Sequence, residues 1–136
     1  MASMSDYLEV EIIKHIFRTG SFTKPTALYI ALFTAAPSDA GGGTEVTGGS
    51  YARVNRPPLD ANWDATSGTN GLTANTAVIT FPTPTADWGI ITHMGIFDAI
   101  TSGNLLFHGA LTASKTVNNG DAAPTYPASA LTITFA

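Results

Sequence analysis

The chain contains no cysteine, which excludes disulfide staples and thiolate zinc sites together. Charge is scarce as well: Lys and Arg number 6, Asp and Glu 10, and charged residues make up 12% of the sequence, about half the share of an ordinary soluble domain. A net charge of −4 and an isoelectric point near 5.0 argue against nucleic acid as a direct partner. Sequence-independent binding of that kind is driven by Lys and Arg displacing counterions from phosphates. No apolar run approaches the roughly 18 residues needed to cross a bilayer, and the first residues lack the basic, apolar and small-residue zones of a signal peptide. The expectation is a protein made in the cytosol without a membrane partner.

What is present is 136 residues of globular character, 44% hydrophobic, with a mean hydropathy of +0.15. That length suits one core, so the expected organisation is a single β domain over residues 1–136, with 1–18 as an N-terminal helix or arm. Thr, Ala, Gly, Ser and Asn take the place of charges. A surface built that way is poorly equipped to stay solitary.

The segment Ser3 to Phe17 reads as the one convincing helix. Ser3 followed by Asp6 fits a capping box, and Asp6 and Glu9 place negative charge at the positive end of the helix dipole. Leu8, Ile12 and Ile16 recur at i, i+4 and i+8, with Ile13 and Phe17 widening the stripe. Lys14 and Arg18 suit the negative pole, and Gly20 is a reasonable stop. The amphipathic pattern favours a helix packed on its own sheet; an arm docking on a neighbouring subunit is the alternative.

After Pro25 the pattern changes to short β-like runs. Thr26 to Thr34 is apolar on both faces and predicts a buried central strand. Ser38 to Ser50 is a Gly-rich loop or wide hairpin end. Tyr51 to Asn55 predicts a short or edge strand stopped by Pro57 and Pro58. Asn70-Gly71 is the preferred dipeptide of a type I′ hairpin, and Thr76 to Phe81 alternates after it. Trp88 to Ala99 and the run from Leu105 to Leu111 predict paired strands around an Asp98 to Asn104 loop. Asn118 to Asp121 is a turn, and Leu131 to Phe135 closes the chain as a period-2 strand. Six or so short strands, one leading helix and no βαβ alternation predict a mainly β fold, an antiparallel β-sandwich or small barrel-like domain.

Chemistry is thin. With only His15, His93 and His108 available, the best catalytic or metal trio is His93 and His108 facing each other across the hairpin, together with Asp98. It lacks metal-ligand spacing, and histidines on neighbouring strands are more often hydrogen-bonded sheet residues. Gly41-Gly42-Gly43-Thr44 lacks the lysine of a phosphate loop, no G-x-S-x-G elbow exists, and the aspartates miss calcium-loop spacing. The expectation is no enzyme, no cofactor and no metal. Trp63, between Asp60 and Asp64, covers the core or anchors a partner. Arg53 and Arg56 are expected to pair with carboxylates within the fold or across an interface.

Several blocks in order carry a resemblance: Ser5-Asp6-Tyr7-Leu8-Glu9; Leu28 to Ala35; Asp39 to Val46 with Gly48 to Arg53; and Trp88-Gly89 through His93-Met94-Gly95-Ile96-Phe97-Asp98 to Gly103-Asn104-Leu105-Leu106-Phe107-His108-Gly109. Together they resemble small virion proteins of tailed bacteriophages, often labelled tail fibre proteins. The resemblance implies a structural particle component. Its size and plan are similar to capsid decoration (cement) proteins that clamp neighbouring major capsid subunits on the outer shell. A tail or fibre-adaptor protein working as a trimer or ring among tail subunits is the alternative. A carbohydrate-binding module with Trp63, Trp88 and Tyr51 as stacking residues is the second alternative. Partner-contact candidates are Leu8, Ile12 and Ile16 on the helix and Tyr51, Arg53 and Trp63 in the β region, with the Gly-rich loop as an adaptable tip.

Overall fold

A computed structural model describes residues 2–65 and 71–135. The elements in chain order are β1 (Ser3–Met4), α1 (Asp6–Phe17), β2 (Tyr29–Ala35), β3 (Thr44–Glu45), β4 (Val54–Asn55), β5 (Leu72–Ala74), β6 (Ile79–Thr80), β7 (Gly89–Phe97), β8 (Leu105–Val117), β9 (Thr125–Tyr126) and β10 (Thr132–Thr134). The fold is mainly β with antiparallel sheets and a helix near the N-terminus, as the sequence predicts.

The main sheet has the order β1-β8-β7-β2-β3, with β4 also pairing β2 beyond the end of β3. It stays open, so the layered arrangement is realised and no barrel closes. Two antiparallel ribbons, β5–β10 and β6–β9, supply the second layer. The core forms between the layers: Ile30, Leu32, Ile91, Met94 and Ile96 from the sheet meet Ile79, Phe81, Leu131 and Ile133 from the ribbons and their flanks. β2 is buried along four consecutive residues because both its faces are covered, which is what an apolar run without alternation implies. The other face carries Ala31, Phe33, Gly95 and Phe97, since successive side chains alternate across the pleat.

Gly95 lies opposite Ala31 on that second face. A Cβ there would meet Phe33 at 3.0 Å, Leu105 at 3.1 Å and Phe97 at 3.2 Å. The missing side chain is therefore what lets three apolar groups converge over the strand. Gly43 has a different reason: its φ is +77°, and a Cβ would stand 2.7 Å from the Pro37 nitrogen.

Several expectations need correction. The helix starts at Asp6 rather than Ser3, because Ser3 and Met4 are held in β1 opposite His108 and Phe107; Ser5 is the N-cap. The Gly-rich segment takes the hairpin-end form of its two expected forms, with β3 pairing antiparallel to β2 and Ser38 and Gly41 exchanging two backbone hydrogen bonds of 2.9 Å. Ile79 and Phe81 point inward as the alternation requires, but only Ile79 and Thr80 form a strand, because the chain bends at Thr76 and Ala77. The Asn70-Gly71 hairpin expectation falls on Asn70, which lies outside the described residues.

Candidate interaction surface

Helix α1 begins at a tightly fixed point. The Ser5 amide donates to the Leu106 carbonyl at 2.9 Å and the Asp6 amide to the Asp39 carbonyl at 2.9 Å. The Ser5 hydroxyl donates to the Leu105 carbonyl and accepts from the Leu8 amide, so one side chain caps the helix and ties it to β8. Asp6 and Glu9 lie in the first turn and Lys14 in the last, an order that suits the helix dipole. The end is equally defined. Arg18 is extended, its amide bonding the Lys14 carbonyl at 3.2 Å, and the chain then folds back along the polar side, where the Phe22 amide donates to His15 Nδ1 at 3.2 Å.

Between these ends the helix is mostly bare. Leu8 is buried and Ile12 half-buried, whereas Val10, Ile13, Ile16 and Phe17 are 46%, 52%, 62% and 79% exposed. At about 100° per residue, Val10, Ile13 and Phe17 lie about 140–180° around the cylinder from Leu8. The stripe expected from Leu8, Ile12 and Ile16 therefore fades outward along the helix, with Leu8 in the domain, Ile12 partly covered and Ile16 exposed. A second stripe, directed away from the domain, remains in solvent.

Beside the helix start is an open cleft of about 650 Å³, bordered by Tyr7, Asp39, Gly42, Glu45, Phe97 and Asn104. Two of these residues, Glu45 and Phe97, are held by Arg53. Its guanidinium binds both Glu45 carboxylate oxygens at 2.8 and 2.7 Å and donates to the Ala99 and Ser102 carbonyls at 2.8 Å each. It also stacks 3.6 Å over the Phe97 ring, which itself stacks on Phe33. This fork joins β3, the segment just before β4 and the distant β7–β8 loop. Tyr51 belongs to the same assembly: its hydroxyl accepts from the Leu32 amide and donates to Glu45, both at 2.9 Å, and its ring meets Trp88 edge-on. Burial pushes its phenol pKa well up from the ordinary value, and the neighbouring Glu45 carboxylate adds to the rise.

Trp63 is half-buried against the core, and its indole donates to the Pro57 carbonyl at 3.2 Å. It shares no hydrogen bond with Arg53 or Tyr51, which both bond Glu45, so the polar contacts of the β-region candidates fall into two groups. His93 pairs with Ala110 and His108 with Gly95, so the two are diagonal neighbours rather than opposite. His93 bonds Thr92, His108 bonds Asp39 at 2.8 Å, and Asp98 caps the loop through Asn104. Among the described residues, no group of three or more His, Asp or Glu is placed to hold a metal ion, and no helix is long and apolar enough to cross a membrane.

A second groove, about 280 Å³, runs between β8 and the ribbon side, lined by Phe81, Ile91, Met94, Tyr126 and Leu131 among others. The Tyr126 hydroxyl is buried there without a hydrogen-bond partner.

The sequence profile of the family described as Podophage GP4 fiber I protein gp80 matches residues 3–134. The chain belongs to this family. Membership in a podophage fibre family makes it a phage structural protein, in agreement with the resemblance carried by the sequence blocks. No curated protein matches the chain. The matched residues include β1, α1 and the strands of both layers.

The sequence signals missed two features. Val10 completes a 3–4 spacing with Ile13 and Phe17 that was legible but was overshadowed by the stronger i, i+4 stripe. The pairing of Asp39 with His108, and of Arg53 with the 99–102 loop, had no local signature.

Proposed function

We propose that this chain is a fibre component of a podophage tail that acts by binding rather than catalysis, with α1 as its contact with neighbouring virion subunits. One observation carries the assignment of the contact: the outward stripe of Val10, Ile13 and Phe17 is apolar, exposed and mounted on a rigidly capped helix. An apolar helix face left in water is a marker of an interaction site. Tail placement is supported by the fibre family's description, whereas the capsid-decoration alternative is supported by size and plan alone. Tyr51 and Arg53 then serve the body of the domain, since their polar atoms are engaged internally.

Quantifying copies per purified particle separates the placements. A tail fibre component is expected at a few to a few tens of copies, following the closure symmetry of a tail, and it should co-fractionate with tails after heads are disrupted. Hundreds of copies on emptied shells would assign decoration instead. Full-length Ile13→Asp should fold normally yet fail to enter particles, whereas normal incorporation of that variant would remove α1 as the contact.

A further inference from the structure

The outward stripe of α1 has the spacing of a coiled-coil seam. With Val10 at position a, Ile13 falls at d and Phe17 at the next a. The flanks then place Glu9 at g and Lys14 at e. In a parallel bundle, a g residue of one helix faces the e residue five positions on in its neighbour, so Glu9 of one copy meets Lys14 of the next. Charge complementarity of this kind is what identifies the occupant of the seam as another α1.

We propose that copies of this chain associate through a parallel bundle of their α1 helices, with Val10, Ile13 and Phe17 in the seam and Glu9–Lys14 pairs along its flank. This rests on the reading of α1 as the contacting element and names its partner. The β-branched Ile13 at d favours three or four helices over two. The seam is open: Leu8 faces the domain, and the returning segment passes on the Lys14–His15 side, where Gly20 lies against the Lys14 side chain and Phe22 bonds His15. Lys14 is held at present by Glu11 of its own helix at 2.8 Å, a half-exposed contact one turn away. Exchange for Glu9 of a neighbour therefore trades one solvent-accessible partner for another. The fixed cap at Ser5 limits the disorder that each helix must lose on association.

The test uses the purified full-length chain, with mass followed by sedimentation equilibrium from low micromolar to sub-millimolar concentration. The expected result is a shift from 14.1 kDa toward three or four times that mass. Ile13→Asp should abolish the shift with an unchanged circular dichroism spectrum. Glu9→Lys should weaken association at least tenfold, and adding Lys14→Glu to it should restore most of the loss. Because the protein has no cysteine, Phe17→Cys is a clean reporter of direction: parallel helices bring the two sulfurs together and give a disulfide-linked dimer on mild oxidation, whereas antiparallel helices separate them. A monomer at every concentration, an assembly indifferent to Ile13→Asp, or no Phe17→Cys crosslink overturns the proposal. A monomeric chain whose Ile13→Asp variant is nevertheless excluded from particles overturns self-association while leaving α1 as the contact with a different virion protein.

Discussion

Arg53→Ala is expected to cost about 3–5 kcal/mol of folding stability, the range for breaking one side of a buried ion pair. The placement of the pair decides between that range and the ~0–1 kcal/mol of an exposed pair: the Arg53 side chain is 7% exposed and Glu45 24%. Glu45 keeps some water and the Tyr51 hydroxyl, which pulls the value toward the lower end. The loss of the Ala99 and Ser102 bonds, at about 1 kcal/mol each, and of the Phe97 contact, at about 0.5–2 kcal/mol, pushes it up. These terms overlap and do not simply add. At roughly 3 °C per kcal/mol for a domain of this size, the midpoint should fall by about 10 °C. Urea titration of wild type, Arg53→Ala, Glu45→Gln and the double variant, at dilute protein to suppress any association, gives the coupling directly. It should be about 1.5–3 kcal/mol. Arg53→Lys keeps the charge but not the fork and should recover less than half of the loss. A cost below about 1 kcal/mol, with negligible coupling, would place the pair in the surface class and refute its role as the tie between β3, β4 and the 99–102 loop.

Three further outcomes follow from named contacts. Gly95→Ala should destabilise by about 1–3 kcal/mol through overpacking, because Phe33, Leu105 and Phe97 already occupy the space its Cβ needs; unchanged urea stability would mean that face repacks freely. Ser5→Ala should cost about 1–2 kcal/mol and reduce far-UV helical signal, since it removes the bonds to Leu8 and Leu105 together; full helicity would show that α1 is held by other contacts. Tyr126→Phe should be stabilising by about 1 kcal/mol, because it deletes a buried hydroxyl that lacks a partner. Burial also raises the Tyr126 phenol pKa in the folded state. The folded state thus holds this proton more tightly than the unfolded chain, so the stabilising linkage is complete below about pH 10 and is lost as pH rises above it. Alkaline unfolding should be shallower in Tyr126→Phe, and an identical pH profile would show that this phenol does not contribute.

The strands were legible where local pattern and tertiary role coincide. The unalternating run around Ile30 to Phe33 announced burial on both faces, and the Asp98 to Asn104 loop announced the β7–β8 pair. Register was less legible. A bulge leaves residues 111–114 of β8 opposite Thr92 alone, and a separate shift near Phe97, on the loop side of both histidines, helps to set His93 and His108 in a diagonal relation that no count of loop residues reveals. The helix was found, but its cap was displaced by two residues because β1 competes for Ser3 through bonds to a strand about a hundred residues away. How far the predicted stripe runs inward was likewise invisible. Leu8 is buried and Ile12 half-buried, as that stripe requires, but Ile16 is exposed.

The scarcity of charge has a structural counterpart. Of the ten acidic residues, five are occupied inside the domain: Asp39 with His108, Glu45 with Arg53, and Asp87, Asp98 and Asp121 with the backbone amides of Asn119, Asn104 and Asn118. Carboxylates that accept from loop amides fix turns that otherwise rely on glycine and proline. Asp39, Asp87 and Asp121 stay exposed while they do so, and Glu45 and Asp98 are half-buried. On α1, Asp6, Glu9, Glu11 and Lys14 crowd within nine residues and flank the exposed Val10, Ile13 and Phe17, the last being the most exposed large apolar side chain among the described residues. A body that pins its loops with its few charges is thus joined to a helix that keeps its charges around exposed apolar side chains, and the proposed association rests on that arrangement.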